Sequence, residues 1–289
     1  MSRAGVLSFV VSKSEAGQSV QVFLAAKLSR SRRAVKALLD ERVVWVNRKC
    51  VWMAHHTLRQ GDTVELPAAV LRKGARDANP VAVPKIRLLI EDAEYAVVDK
   101  PSGLLTVGAG SVEERLRAQT GIAELKAVHR LDRDTTGCLL CAKTPEAFDA
   151  AVELFKTRRV TKQYHTIVSG RYERHASTVD QELDGERAVS HIQRIMLSRD
   201  ASFLKVRIET GRTHQIRRHL AAIRHPVLGD RKYGVKVARD PRLLSVPRLM
   251  LHASGLGLPH PMRPGKTLQA HSPLPADFRH CLKLFDMGK

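Results

Sequence analysis

The stretch "HRLDRDTTG", residues 129–137, sets two aspartates and two arginines directly before the apolar run "CLLCAKT". A carboxylate at the mouth of a strand can act as a nucleophile or a base, because the connection there can aim it at a ligand. Asp132 follows the apolar Leu131 between Arg130 and Arg133, a setting that can keep a partly buried carboxylate ionised. Asp134, followed by two threonines and Gly137, suits turn chemistry, its side chain bonding nearby backbone N–H groups. On this stretch alone, the catalytic and turn readings both stand.

Other reactive side chains point to structural roles. Cys138 and Cys141 have metal-ligand spacing, but Leu139 and Leu140 lie between them and there is no second pair, so buried strand thiols are expected. His214 and His219, five apart, do not share a helical face as a metal pair would. Lys100-Pro101 with Gly103 reads as a tight turn after a strand, with Lys100 either near a pocket or shaping the turn.

The chain that positions these residues has 289 residues, 43% of them hydrophobic, long enough for two domains with buried cores. Forty-nine Lys and Arg against twenty-nine Asp and Glu leave a formal charge of +20, which calls for a polyanionic partner. Nucleic acid fits better than a membrane surface, since no lone basic amphipathic helix or lipidation signal occurs. No stretch suits a signal peptide or a membrane span, and four cysteines are too few for a disulfide framework. A soluble, cytoplasmic protein is expected.

From Ser19, "SVQVFLAAKLSRSRRAVKALLDERVVWVN" reads as two short helices and a strand. Ser19 and Ser31 are the expected caps, with Val20, Phe23 and Leu24, then Val35, Leu38 and Leu39, on the apolar faces. Lys27, Arg30, Arg32, Arg33 and Lys36 cluster where the second helix begins, forming either a solvated face or a phosphate site. "VVWVNRKCVW" reads as a hairpin around Asn47-Arg48-Lys49, and "LRQGDTVEL" as a turn with a closing strand. Trp45 and Trp52 are expected in the core rather than stacked on bases. Over about residues 19–66 this order resembles the small alpha-L RNA-binding domain first seen in ribosomal protein S-four. It implies a small α/β RNA-binding domain over residues 1–67, with the basic cluster on RNA. Residues 68–84, with small residues, charges and prolines, have linker composition.

In the second segment, residues 85–289, "IRLLI" and "YAVVDK" read as neighbouring strands, "CLLCAK" and "KQYHTIVSG" as buried ones, and "FLKVRIET" alternates. Thr144-Pro145-Glu146 opens a helix with Phe148, Val152 and Phe155 on one face. "THQIRRHLAAI" makes another, with Thr213 as its cap and Ile216, Leu220 and Ile223 inward. Strands and helices do not alternate regularly, so a mixed α+β domain is expected rather than a doubly wound one.

Four ordered motifs, "KPSGLLTV" (100–107), "HRLDRDTTG", "TKQYHTIVSG" (161–170) and "ETGRTHQIRRHLAAIRHPVLGDRKYG" (209–234), resemble the RluA-type pseudouridine synthases. "RLMLHASGLGLPHP" (248–261) continues the match, which covers about residues 85–280. The chain departs at Thr136, where the family often has serine, and at Ser190, where threonine is usual. The resemblance implies a mainly antiparallel sheet with flanking helices. It also implies isomerisation of uridine in RNA to pseudouridine, with no cofactor and no metal. Asp132 then corresponds to the essential aspartate, Arg217 to its ion-pairing arginine, and Tyr164 to the active-site tyrosine. Whether Asp132 attacks the sugar or a sugar proton is removed first stays open. Arg130 matches a position that fills the space left by a flipped-out nucleotide. Ile216 faces either the base or the core, Arg212, His214, Arg218 and His219 are backbone contacts or scaffold, and His129 is structural. Ribosomal RNA of the large subunit is the expected substrate, with transfer RNA open, and a monomer is expected. A non-catalytic RNA-binding factor and a DNA-binding protein are the alternatives.

Overall fold

The computed structural model describes residues 6–68, 85–235 and 240–288, so the expected linker, apart from residue 68, lies outside the described residues. The chain divides into two compact units, Met1–Ala82 with Gly229–Pro247, and Val83–Leu228 with Arg248–Lys289.

The first unit runs β1 (Val6–Val10), α1 (Val20–Leu28), α2 (Arg32–Asp40), β2 (Val44–Val46), β3 (Lys49–Val51) and β4 (Thr63–Pro67). Ser19 and Ser31 cap the helices as expected, their hydroxyls accepting the N–H groups of Val22 and Ala34. Asn47 and Arg48, at φ 48° and 63°, form the left-handed two-residue turn that matches strand twist in a hairpin. The antiparallel sheet, ordered β1-β4-β2-β3, packs Val44, Val64 and Leu66 against Phe23, Leu24, Val35 and Leu39. Trp45 is buried with Val6 and Leu244, the latter from Gly229–Pro247. Trp52, by contrast, is exposed, with the Arg42 guanidinium 4.9 Å from its ring centroid. It lies one residue past the end of β3, so the hairpin does not carry it into the sheet core as expected.

The second unit contains β5 (Arg87–Glu91), β6 (Tyr95–Lys100), α3 (Val112–Thr120), β7 (Lys126–Ala127), β8 (Thr136–Ala142), α4 (Pro145–Lys156) and β9 (Thr161–Ser169). It continues with β10 (Ala176–Asp180), β11 (Val189–Leu197), β12 (Ala201–Ile208), α5 (Gln215–Ala222), β13 (Leu251–Pro259), β14 (Thr267–His271) and α6 (Ala276–Leu284). One sheet, ordered β10-β11-β12-β9-β13-β8-β6-β5 with β14 on β13 and β7 on β8, holds all these strands. Its pairings are antiparallel except β13 with β8. This is the mixed α+β sheet expected.

In α4, Phe148 and Phe155 of the expected face pack half-buried against the core, beside the fully buried Ala147 and Ala151 that allow close approach to β8. The start of the next helix differs from expectation. Before α5, the cap position is taken by His214 in the left-handed region, φ 54°, with no side-chain cap bond, rather than by Thr213. Gln215 explains this. Its Oε1 accepts from Thr210 Oγ1 at 2.7 Å and the Arg212 N–H at 3.1 Å, tying the helix start to the preceding loop. Ile216 and Leu220 are buried as expected, whereas Ile223, just past the helix, is half-buried.

Gly137 sits where β8 meets β13. Its φ is +108°, and an added Cβ would lie 2.1 Å from the Ala253 carbonyl oxygen. Gly137→Ala is therefore expected to destabilise the protein by about 3–5 kcal/mol, through backbone strain and forced separation of the two strands. Gly255→Ala, whose Cβ would come no closer than 3.6 Å to a neighbour, should change stability by less than about 1 kcal/mol, and denaturant titration of both variants checks the pair.

Candidate active site

The site is built from a strand end. Lys100, the last residue of β6, is fully buried, and its ammonium donates to the carbonyls of Pro101 at 3.1 Å, Arg133 at 2.9 Å and Thr135 at 2.9 Å. An ammonium has three donors, so its capacity goes into holding this loop. Burial pushes the Lys100 pKa down to about 8, against the pull of Asp134 and Asp132. Thr106 adds a second hold: its hydroxyl donates to the Leu131 carbonyl at 2.9 Å and accepts the Leu131 N–H at 3.1 Å. The Gly103 N–H donates to the Arg133 carbonyl at 2.9 Å, and Arg133 Nε returns a bond to the Gly103 carbonyl at 3.1 Å. The loop's turn is closed by the Thr135 N–H on the Asp132 carbonyl. Among the described residues no nearby backbone N–H donates to the Asp134 carboxylate, so the turn is closed by backbone bonds instead.

With the backbone held on both sides, the Asp132 side chain stands in a cleft lined also by Arg130, Thr135, Tyr164, Ile216 and Arg217. Arg217, in the first turn of α5, donates from Nη1 to Asp132 Oδ2 at 2.9 Å. That side chain is only 11% exposed and the aspartate's 22%, so the pair is poorly screened by water. The left-handed His214 brings its Nε2 to 3.8 Å from Asp132 Oδ1, and the N-terminal end of α5 adds a favourable partial charge. Tyr164, on β9, is buried in the cleft wall; burial, then the Asp132 charge, raises its pKa well above that of a free phenol. The hydroxyl therefore stays protonated at neutral pH. Thr135 Oγ1, also in the wall, is buried with no hydrogen-bond partner among the described residues.

The structure thus brings Asp132, Tyr164 and Arg217 together. Arg130 is exposed at the cleft and Ile216, 5% exposed, contributes to its wall as well as to the interior. Arg212 lines the cleft while pairing with Glu186 at 2.8 Å. His129 Nε2 accepts the Leu140 N–H at 3.1 Å and its ring stacks on Phe155, a structural role as expected. His219 likewise bonds Ser190 Oγ and the Gln181 carbonyl, and Arg218 grips Asp184 through two nitrogens. Cys138 and Cys141 are buried, with thiol pKa values raised to about 12, chiefly by burial, so they stay neutral. In the first unit, Lys27 pairs with Glu15 at 2.7 Å and Lys36 with Asp40 at 3.3 Å, while Arg32 and Arg33 are exposed and Arg30 is half-buried.

Sequence reasoning missed the proximity of His214 to Asp132 and the hold exerted by Lys100 and Thr106. Both holding residues lie in "KPSGLLTV", whose signal was present, but the buried contacts of its side chains were not legible in one dimension. Asp92, Glu94 and His260 also converge with ligand-type atoms within 4.8 Å. The Met262 N–H donates to His260 Nδ1, which leaves Nε2 to carry the proton toward Asp92 at 2.9 Å, and Arg263 pairs with Glu94. That arrangement is a hydrogen-bond network joined to the Arg263–Glu94 ion pair.

Comparison with known proteins agrees with this fold. A family profile described as RNA pseudouridylate synthase matches residues 94–222. An uncharacterized RNA pseudouridine synthase of Mycobacterium bovis is 32% identical, over 93% of this chain and 94% of the relative. The ribosomal large subunit pseudouridine synthase D of Escherichia coli is also 32% identical, over 94% of this chain and 91% of its own. The solved structure of human RNA pseudouridylate synthase domain containing 4 superposes with a TM-score of 0.59 at 26% identity, covering 69% of this chain and 93% of its own. Identity at this level across nearly the whole length, together with the fold, places this chain in the RluA family of RNA pseudouridine synthases, isomerases that act on uridine in RNA.

Proposed function

We propose that this enzyme isomerises specific uridines in structured ribosomal RNA of the large subunit, with Asp132, Tyr164 and Arg217 as its catalytic residues. The observation that carries the reading is the poorly screened Asp132–Arg217 pair at 2.9 Å beside the buried, protonated Tyr164. The name of the Escherichia coli relative favours the large-subunit substrate.

The target uridine leaves its stack at a cost of a few kcal/mol to reach the cleft, and Arg130 occupies the space it vacates. Asp132 either attacks the anomeric carbon or removes a sugar proton, so that the glycosidic bond to nitrogen breaks. The uracil turns on the Tyr164 ring and rejoins through carbon five, displacing the Asp132 carboxylate in the first route or, in the second, adding to the sugar as its proton is returned. Carbon five then gives its proton to water and nitrogen one takes one up, with the phenol hydroxyl hydrogen-bonding nearby. Arg217 holds the aspartate's orientation through their ion pair. Product and substrate have the same atoms and oxidation level, so the reaction needs no cofactor. Arg212 and Ile216 support the nucleotide at the cleft. In the first unit, read as an alpha-L RNA-binding domain over residues 1–67, Lys27, Arg30, Arg32, Arg33 and Lys36 contact phosphates. We read the protein as a cytoplasmic monomer in which a linker at residues 68–84 joins this domain to a catalytic domain within residues 85–289, of which Gly229–Pro247 belongs to the first unit.

The test uses unmodified large-subunit ribosomal RNA carrying tritium at carbon five of uridine. Release of tritium by the purified protein is expected, as is loss of discrete pseudouridines from the ribosomal RNA of cells lacking the gene. Release from transfer RNA alone would overturn the substrate.

A further inference from the structure

Beside the Asp132 cleft lies a larger cavity of about 420 Å³, within the size range of small-ligand pockets. The two share Arg130, Tyr164 and Arg212 in their walls. The mechanism leaves the rest of this cavity unused, and its chemistry is distinctive. Phe155 and His129 stack in its wall, ring centroids 5.0 Å apart and planes 24° apart. Lys162 is 91% buried there, its Nζ donating to the Thr210 carbonyl at 3.2 Å and lying 5.9 Å from the Phe155 ring centroid. One carbonyl uses one of three ammonium donors, and no carboxylate pairs with Lys162 among the described residues.

A buried cation without a counter-ion is unfavourable unless something anionic or carbonyl-rich joins it. Here the surroundings worsen the balance: burial first, then Arg158 and Arg212, push the Lys162 pKa down to about 8. Gly211 presents no side chain toward it; even a Cβ there would lie 3.8 Å from Lys162 Nζ. Glu209 also lines the cavity, but its carboxylate bonds His191 Nε2 at 2.7 Å. An aromatic slab beside an under-satisfied cation is the pairing that single-stranded nucleic acid recognises, base on ring and phosphate on cation.

We propose that this cavity is a second nucleotide subsite, which takes a nucleotide neighbouring the target uridine, its base against the Phe155–His129 slab and its phosphate at Lys162. The shared walls let one RNA strand enter both cavities at once. Extraction of the target is then assisted, because a neighbouring nucleotide unstacked from the RNA gains a new stacking partner in the protein. This deepens the proposed RNA-modifying function and rests on it for the nature of the ligand.

The test uses full-length protein and unmodified large-subunit ribosomal RNA transcript, with binding read separately from tritium release. Phe155→Ala is expected to weaken RNA binding about tenfold, the loss of one base–aromatic stack. Lys162→Gln should weaken it and lower the slope of log affinity against log salt by about 0.7–0.9, one phosphate contact. Circular dichroism melting checks that both variants fold, and Lys162→Gln serves if Phe155→Ala does not. Ultraviolet crosslinking followed by tryptic mass spectrometry should join RNA to the peptide 144–156 or 127–130. The nucleotide found there should differ from the one joined to the Tyr164 peptide 163–171. Folded variants that bind RNA as tightly as the wild type would overturn the subsite, as would crosslinks confined to the Tyr164 peptide, or the same nucleotide on both. Crosslinks and weakened binding without tritium release would leave the subsite standing and sink the proposed activity on this RNA.

Discussion

Asp132→Asn should reduce tritium release from carbon-five-labelled uridine by about 10⁴-fold or more, the scale seen when a covalent catalyst's reacting group is removed. Asparagine keeps the shape of the side chain, and the loop that carries it is held through the Leu131, Arg133 and Thr135 carbonyls by Lys100 and Thr106 rather than by the carboxylate. What is lost is the anionic oxygen, which serves equally as attacking group or as base. The change also leaves Arg217 facing a neutral amide. Because the aspartate side chain is 22% exposed, the stability loss should be about 1–2 kcal/mol, below that of a fully buried pair. Melting by circular dichroism and RNA retention on filters separate this from unfolding. Tritium release within tenfold of wild type would remove Asp132 from the mechanism.

Arg217→Met should lower activity about 10²- to 10³-fold, the scale of losing one preorganised electrostatic partner, and should also lower stability. The guanidinium side chain is 11% exposed, so its removal leaves Asp132 in a poorly hydrated cleft without its 2.9 Å partner. An expected loss of about 2–3 kcal/mol follows, corresponding to a melting point lower by several degrees. Arg217→Lys separates charge from geometry: it keeps the cation but not the planar fork, so activity should fall between wild type and Arg217→Met. A lysine variant as active as the wild type would show that only the charge matters, and a methionine variant as active would remove Arg217 from the site.

The placing of Tyr164 and of the basic cleft also shows why some side chains escaped a linear reading. Trp52 and Trp45 look alike in sequence, yet a three-residue strand ends before Trp52, and the ring is exposed beneath Arg42. Thr213 looks like a cap, yet the buried amide of Gln215 takes up the preceding backbone and shifts the helix start by one residue. Phe155 looks like the core side of an amphipathic helix and does pack against the core, yet it stays half-buried and also lines a cavity beside His129. Each case turns on how closely two elements approach, which periodicity does not encode. The same holds for Gly229–Pro247, which joins the first unit through Leu244 beside Trp45 and through Arg231, 3.1 Å from Glu41.

What the sequence determined by itself was chemical: a chain of charge +20 made for a polyanion, helix caps at Ser19, Ser31 and Thr144, buried thiols at Cys138 and Cys141, and four ordered motifs. These are local or additive properties, set by composition, by neighbours in the chain, or by residue types at fixed spacing. Only the tertiary structure decided which charges meet. Asp132 has Arg130 and Arg133 as neighbours in sequence, but its bond is to Arg217, 85 residues away. The reason is geometric. The carbonyls around Asp132 are held from one side by β6 and the turn after it, which leaves the carboxylate facing the first turn of α5, where charge and helix end both favour an anion.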